Sequence, residues 1–102
     1  MIRALVVDED ATLEAEAQVR YYFEQAGPVL AQRFAAEVEA VFRGLLAGSL
    51  VGVNHPLVPF RVPLKRVLLD RFPFSVVFYL DNDVIHVVAL EAHKRRPGYW
   101  KR

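Results

Sequence analysis

The chain has 102 residues, 54% of them hydrophobic and 25% charged, with no cysteine and a formal charge of +1. That is the length of a single domain spanning 1–102, too apolar for a disordered chain and too balanced for an acidic or basic tail. The lack of cysteine excludes a disulfide framework and a thiolate zinc site, so the core or a partner must hold the fold, as suits a cytoplasmic protein.

Ile2 to Val7 is a short apolar run that predicts a first strand. Only four consecutive apolar residues, Ala4 to Val7, precede Asp8-Glu9-Asp10, so the segment lacks a signal-peptide core. Asp8, Glu9 and Asp10 supply N-cap candidates and first-turn negative charge, predicting a helix that runs to about Ala26. Leu13, Ala17, Tyr21 and Phe23 are expected on its buried side, with Glu14, Glu16, Arg20 and Glu24 on a solvated face. Gly27-Pro28 ends this helix and starts the next. The second helix carries Leu30, Phe34, Val38, Val41, Phe42 and Leu45 as one apolar stripe and stops at Gly48. So short a link makes the two helices antiparallel neighbours.

Between Gly48 and Pro63, the residues Gly52, Asn54, Pro56, Pro59 and Pro63 exclude a regular helix or central strand. Three strands are predicted beyond it, at about Leu64 to Arg71, Ser75 to Leu80 and Val84 to Glu91. Phe72-Pro73 separates the first two, and Asp81-Asn82-Asp83 forms a tight turn between the others. The predicted class is therefore α+β: an N-terminal strand, an antiparallel helical hairpin, then a three-stranded antiparallel sheet, with the helices on one sheet face. No apolar run approaches the roughly 18 residues of a membrane span.

Charge is unevenly placed. Residues 1–51 hold four basic and eight acidic residues, and residues 52–102 hold nine basic and four acidic, so −4 and +5 make up the total of +1. The apolar fraction is also high for a body this small, which points to an interface beyond the core.

The order strand, helix, helix, three strands, with Tyr21-Tyr22 near the end of the first helix, resembles the RelE/ParE family of bacterial toxins. Three stretches carry the resemblance. Arg66-Val67-Leu68-Leu69-Asp70-Arg71-Phe72-Pro73-Phe74-Ser75-Val76-Val77 is similar to the family's R-x-L-L-x-R-F-P-[FY]-x-[IV]-x stretch. Asp83 to Leu90 is similar to its last strand, and Arg95-Arg96-Pro97-Gly98-Tyr99-Trp100 to the R-x-P-G-Y-W tail of ParE-like members. Aligned on that tail, the position where many relatives carry histidine is Ala92, and His93 lies one residue further on.

The resemblance implies a toxin that arrests growth, serves in plasmid stabilisation and is neutralised by a cognate antitoxin. ParE-like members poison DNA gyrase without demonstrated catalytic chemistry, whereas RelE-like members cleave messenger RNA on the ribosome. The tail places this chain nearer the ParE-like branch, with a RelE-like endoribonuclease as the alternative and a non-toxic, antitoxin-binding member as a third reading. In the family, the helical hairpin is where gyrase recognition has been proposed. Sequence-specific DNA binding is not expected of the toxin alone, nor is any cofactor.

Candidate residues follow from the basic half: Arg61, Lys65, Arg66, Arg71, Lys94, Arg95, Arg96, Lys101 and Arg102. For binding a target or antitoxin, Arg61, Lys65, Arg66, Arg71, Arg95, Arg96, Tyr99 and Trp100 are the candidates. A nuclease would need cations for phosphate and a general acid and base, which Arg66, Arg71, His93, Arg95 and Tyr99, with Glu91, could be asked to supply. No compact acid–base constellation stands out, so cations that solvate a sheet face and meet acidic groups are the preferred reading. Trp100 is expected to dock on the sheet, while Tyr99 could do so or stack on a nucleic acid. On a strand reaching Arg71, Arg66 and Arg71 would face opposite sides. His55, His86 and His93 lack the spacing of a metal site, and the five glycines form no phosphate loop.

Overall fold

Ala4–Val7 forms β1 of the computed structural model, which describes residues 1–101. Two helices follow, α1 over Glu9–Ala26 and α2 over Pro28–Ala47, then strands β2 (Val53–Asn54), β3 (Lys65–Leu68), β4 (Phe74–Asp81) and β5 (Val84–Ala92). Asp8 is the N-cap of α1 but makes no side-chain cap bond; Glu9 and Asp10 supply the first-turn charge that favours the positive helix end. Gly27 closes α1 through its N–H to the Phe23 carbonyl, and Pro28 opens α2 directly.

The sheet has five strands in the order β1-β5-β4-β3-β2, two more than the three-stranded antiparallel sheet expected from the sequence. It is mixed, because β1 pairs in parallel with β5, from Ala4 opposite Val84 to Val7 opposite Val87. A parallel neighbour needs a long connection, and here that connection runs through the helical hairpin. The other addition, β2, pairs antiparallel with β3 over only two positions, Val53 with Arg66 and Asn54 with Lys65. Its brevity and its place at the sheet edge let it form beside Gly52 and Pro56, residues that would break a longer strand. The strand predicted to reach Arg71 stops at Leu68, so Arg71 lies in the corner before β4 and its strand parity has no meaning.

Both helices pack on one sheet face, as expected. The main core joins Phe34, Val38, Val41 and Leu45 of α2 to Phe74, Val76 and Phe78 of β4 and Ile85, Val87 and Leu90 of β5. Phe34 is fully buried and contacts Phe72 and Phe74 edge-on, with ring centroids 5.1 and 5.5 Å apart. The α2 stripe is thus the one its spacing predicted.

The α1 stripe is not. Ala11 is buried and Ala15, Val19 and Tyr22 pack on the core, whereas Leu13, Tyr21 and Phe23 stay more than half exposed at 54%, 55% and 56%. This helix carries two apolar stripes, and the smaller side chains let it sit close to the sheet while the larger ones face outward.

A second, smaller core lies on the opposite sheet face. Val77 of β4 and Val88 and Ala89 of β5 are covered by Val58 and Leu64 of the 55–64 loop, with Phe60, Tyr79 and Trp100 around them. Opposite Val77 stands Ala89 and opposite Phe78 stands Val87, so Val88 is an extra residue in β5, a β-bulge.

Candidate functional site

Strand alternation puts Glu91 and Ser75, which are register partners, on the face away from the helices. Glu91 is 3% exposed and Ser75 is fully buried. A buried carboxylate is costly unless its lone pairs are satisfied. Glu91 Oε1 accepts from His55 Nε2 at 2.8 Å, while Oε2 accepts from Trp100 Nε1 at 2.6 Å and the Gly98 N–H at 3.1 Å. Burial pushes the Glu91 carboxyl up, but the bonds from Trp100, Gly98 and His55, with the His55 charge, outweigh it and hold the group below its ordinary value.

This carboxylate therefore fastens two segments that are remote in sequence. His55 heads the 55–64 loop, and Gly98 and Trp100 belong to the tail. Gly98 has φ +81°, and a Cβ there would sit 3.2 Å from Val58, so tail and loop meet closely. Lys101 Nζ adds a 2.6 Å bond to the Pro59 carbonyl. Trp100 thus docks over the sheet, as its position predicted.

The other acid–base candidates are tied in the same way. The His93 ring shares a 2.7 Å hydrogen bond with Ser75 Oγ, and the backbone N–H of His93 donates to the Pro73 carbonyl. Tyr99 Oη accepts the Ala92 N–H at 3.0 Å, which caps the free edge of β5 beyond its pairing with β1. Burial, with the nearby charges of Glu14 and Glu91, pushes the Tyr99 phenol up against the opposing pull of Ala92 and Arg95. Glu14 lies at the same edge: burial raises its carboxyl, and the Leu90 N–H lowers it. Tyr99 is a docked residue here, with the Arg95 guanidinium 3.9 Å above its ring.

The cationic candidates are not gathered into one pocket. Arg66 lies on the far face opposite Val77, half-buried, with a buried Nε that has no hydrogen-bond partner among the described residues. Arg61 is also on this side, bonded to Tyr79 Oη at 3.0 Å and lying 4.8 Å over the Phe60 ring and 5.4 Å over that of Tyr79. Lys65, one residue from Arg66, faces the helix side. Arg71 is exposed at the β3–β4 corner, where Glu37 of α2 accepts the N–H groups of Asp70 and Arg71. Lys94 and Arg96 are exposed after β5, and Arg102 lies outside the described residues.

Sequence reasoning missed the aromatic row and the buried His55–Glu91 hydrogen bond. Tyr79 and His86 are register partners, stacked at 4.7 Å and 11°, and Phe60 links Tyr79 to Trp100 with centroids 6.1 Å from each. The signal for Glu91 was present: it is the one acidic residue within the last apolar strand. Nothing local to His55 pointed to its partner 36 residues away. Among the described residues no group of three or more His, Asp or Glu could hold a metal ion, and no helix is long and apolar enough to cross a membrane.

No protein-family model matches the chain, and no curated protein sequence does. Among solved structures, it is similar to a chain of the "Chromosomal ParDE TA system from P. aeruginosa", at 21% identity over 89% of this chain and 96% of that one. The TM-score is 0.69, so the two chains share a fold, the one that the motif resemblance led us to expect.

Proposed function

We propose that this protein is the toxin of a toxin–antitoxin pair, ParE-like, held inactive in the cytoplasm by a cognate antitoxin and arresting growth by engaging DNA gyrase. The single observation that carries the binding reading over a nuclease is the state of its acid–base candidates. Glu91, His93 and Tyr99 each commit a polar atom to a partner within the sheet or tail, His55, Ser75 and the Ala92 N–H respectively, instead of presenting it to a ligand. A metal-independent cleavage of RNA needs a base and an acid on opposite sides of one phosphate. The far face offers instead a half-buried arginine and a row of aromatic rings. The motifs of the second half and the fold shared with a chain of a ParDE system support the toxin assignment itself.

The outward apolar stripe of α1, with Leu13, Tyr21 and Phe23, suits recognition of a large protein target. The test is direct. Purified protein added to a gyrase supercoiling reaction should inhibit it or trap cleaved DNA; no effect at large molar excess would overturn the proposal. Codon-positioned cuts in mRNA in a translation extract, lost in Tyr99→Phe, would replace it with the RelE-like reading.

A further inference from the structure

While the inner side of α1 packs on the sheet, its outer side carries a seam of four residues. Leu13, Glu16, Arg20 and Phe23 follow one another at intervals of three, four and three, the spacing that aligns side chains in one straight row between paired helices. All four are exposed, Leu13 and Phe23 by more than half.

The seam is its own complement. It is centred on position 18: Leu13 and Phe23 stand five residues to either side, Glu16 and Arg20 two. A two-fold axis crossing the seam at that level sets the helix antiparallel to a copy of itself. Leu13 then meets Phe23 of the partner subunit, and Glu16 meets Arg20 of the partner subunit, each pair occurring twice. A parallel pairing would instead set Glu16 against Glu16 and Arg20 against Arg20, so charge selects the antiparallel form. Beside the seam, Thr12 comes opposite Glu24 of the partner subunit, a hydroxyl against a carboxylate.

Both charges of the seam are available for such a contact. Glu16 and Arg20 stand four apart on one helix, yet neither forms an ion pair within the chain among the described residues. They border a groove of about 620 Å³ between α1 and α2 that also carries Glu39, itself paired with Arg43. Arg20 of the partner subunit would therefore find two carboxylates. Next to Leu13 lies a hollow of about 340 Å³ edged by Glu14, Trp100 and Lys101, toward which Phe23 of the partner subunit would turn. A wall of both signs selects neither an acidic nor a basic peptide; it fits a surface that repeats it in reverse.

We infer that a second copy of this chain docks on this seam, forming a two-fold symmetric, antiparallel pair of α1 helices. From Leu13 to Phe23 the seam is about 15 Å long at the helical rise per residue. So short a contact lies at the small end of specific interfaces, which makes the pair reversible. The inference concerns the chain alone and stands whether or not gyrase is the target. Because the pair covers Leu13 and Phe23, it and any target that uses this face exclude each other.

The test is sedimentation of the purified full-length chain over a hundredfold range of concentration, which should show a monomer–dimer equilibrium. Arg20→Glu and Glu16→Arg each place like charges across the axis and should weaken the dimer by about tenfold or more, with circular dichroism melts confirming the fold. Mixed in equal amounts, the two variants should associate with each other, because every pair is again Glu against Arg. The double exchange, Glu16→Arg with Arg20→Glu, should restore the dimer in a single chain. A natural protein that stays monomeric throughout would overturn the inference and leave the seam to a partner of different sequence. A dimer that neither single variant weakens would overturn it by placing the interface elsewhere. Weakening in both variants without recovery in their mixture would overturn the antiparallel register, and the proposed pairing with it.

Discussion

Replacing Glu91 by glutamine isolates the charge and one acceptor of the buried cluster while keeping its size. In the native protein the two carboxylate oxygens accept from His55, Trp100 and the Gly98 N–H. Glutamine retains one acceptor and turns the other into a donor, which faces either the His55 ring or the Trp100–Gly98 pair. At least one bond to a charged group is lost, and where the new NH2 meets the Trp100–Gly98 pair a buried donor faces two others, a cost of about 2–3 kcal/mol. For a domain of this size that corresponds to a melting temperature lower by about 10–20 °C. The pH dependence has a definite sign. Because the folded carboxyl is held below its ordinary 4.5, its contribution is complete above that value and is lost as the pH falls through the folded value. The gap between the two proteins should therefore be widest near neutrality and close in acid. Trp100 is the only tryptophan, so its emission reports tail docking without a label. Thermal melts followed by Trp100 emission across pH 3–7 measure both effects. An unchanged melting temperature, or a gap that does not narrow in acid, would refute the reasoning.

Further expectations concern the core, the segment before β2 and the tail. Phe34→Ala should cost about 3–5 kcal/mol, whereas Leu13→Ser, on the outward stripe of α1, should change stability by no more than about 0.5 kcal/mol in a denaturant melt. The reverse ranking would restore the helix orientation expected from the sequence. Gly52→Ala should destabilise by about 1–3 kcal/mol, because the left-handed backbone and the Arg66 carbonyl both oppose a Cβ; a neutral result would mean that the segment shifts freely. Tyr99→Phe removes the acceptor for the Ala92 N–H and should cost about 1 kcal/mol in the same melts while induced expression still halts growth. Loss of growth arrest in a folded Tyr99→Phe protein would assign the phenol a chemical role.

The parts of the fold legible in the sequence were those set by local periodicity. The α2 stripe from Leu30 to Leu45 leaves one way to bury its side chains, and the Gly27-Pro28 link leaves one way to join the helices. In α1 periodicity was ambiguous, because Leu13-Ala17-Tyr21 and Ala11-Ala15-Val19-Tyr22 are both helical stripes. Burial chose the one whose small residues allow close approach to the sheet. The parallel pairing of β1 with β5 and the two-residue β2 are long-range choices that no local pattern encodes. Sequence reasoning placed Trp100 on the sheet and found the candidate cations, and alternation along the predicted strand already separates Lys65 from Arg66, but it could not see that Arg71 belongs to a corner. His55 was legible only as a loop histidine, since its meaning depends on a carboxylate brought to it by the whole sheet.

The extra residue at Val88 makes β5 a strand with two phases. Before it, odd-numbered residues such as Ile85 and Val87 face the helices; after it, even-numbered ones such as Leu90 do. In an unbroken alternation the side chain of Glu91 would turn under the helices and Leu90 would turn away. The bulge absorbs the extra residue, so that Leu90 still supports the helices and Glu91 still meets the tail from its place opposite Ser75. Deleting Val88 would remove the bulge and leave Leu90 toward the helices and Glu91 opposite Ser75, whereas pairing the same residues without a bulge would turn Glu91 under the helices, so the irregularity matters more than the identity of any one valine.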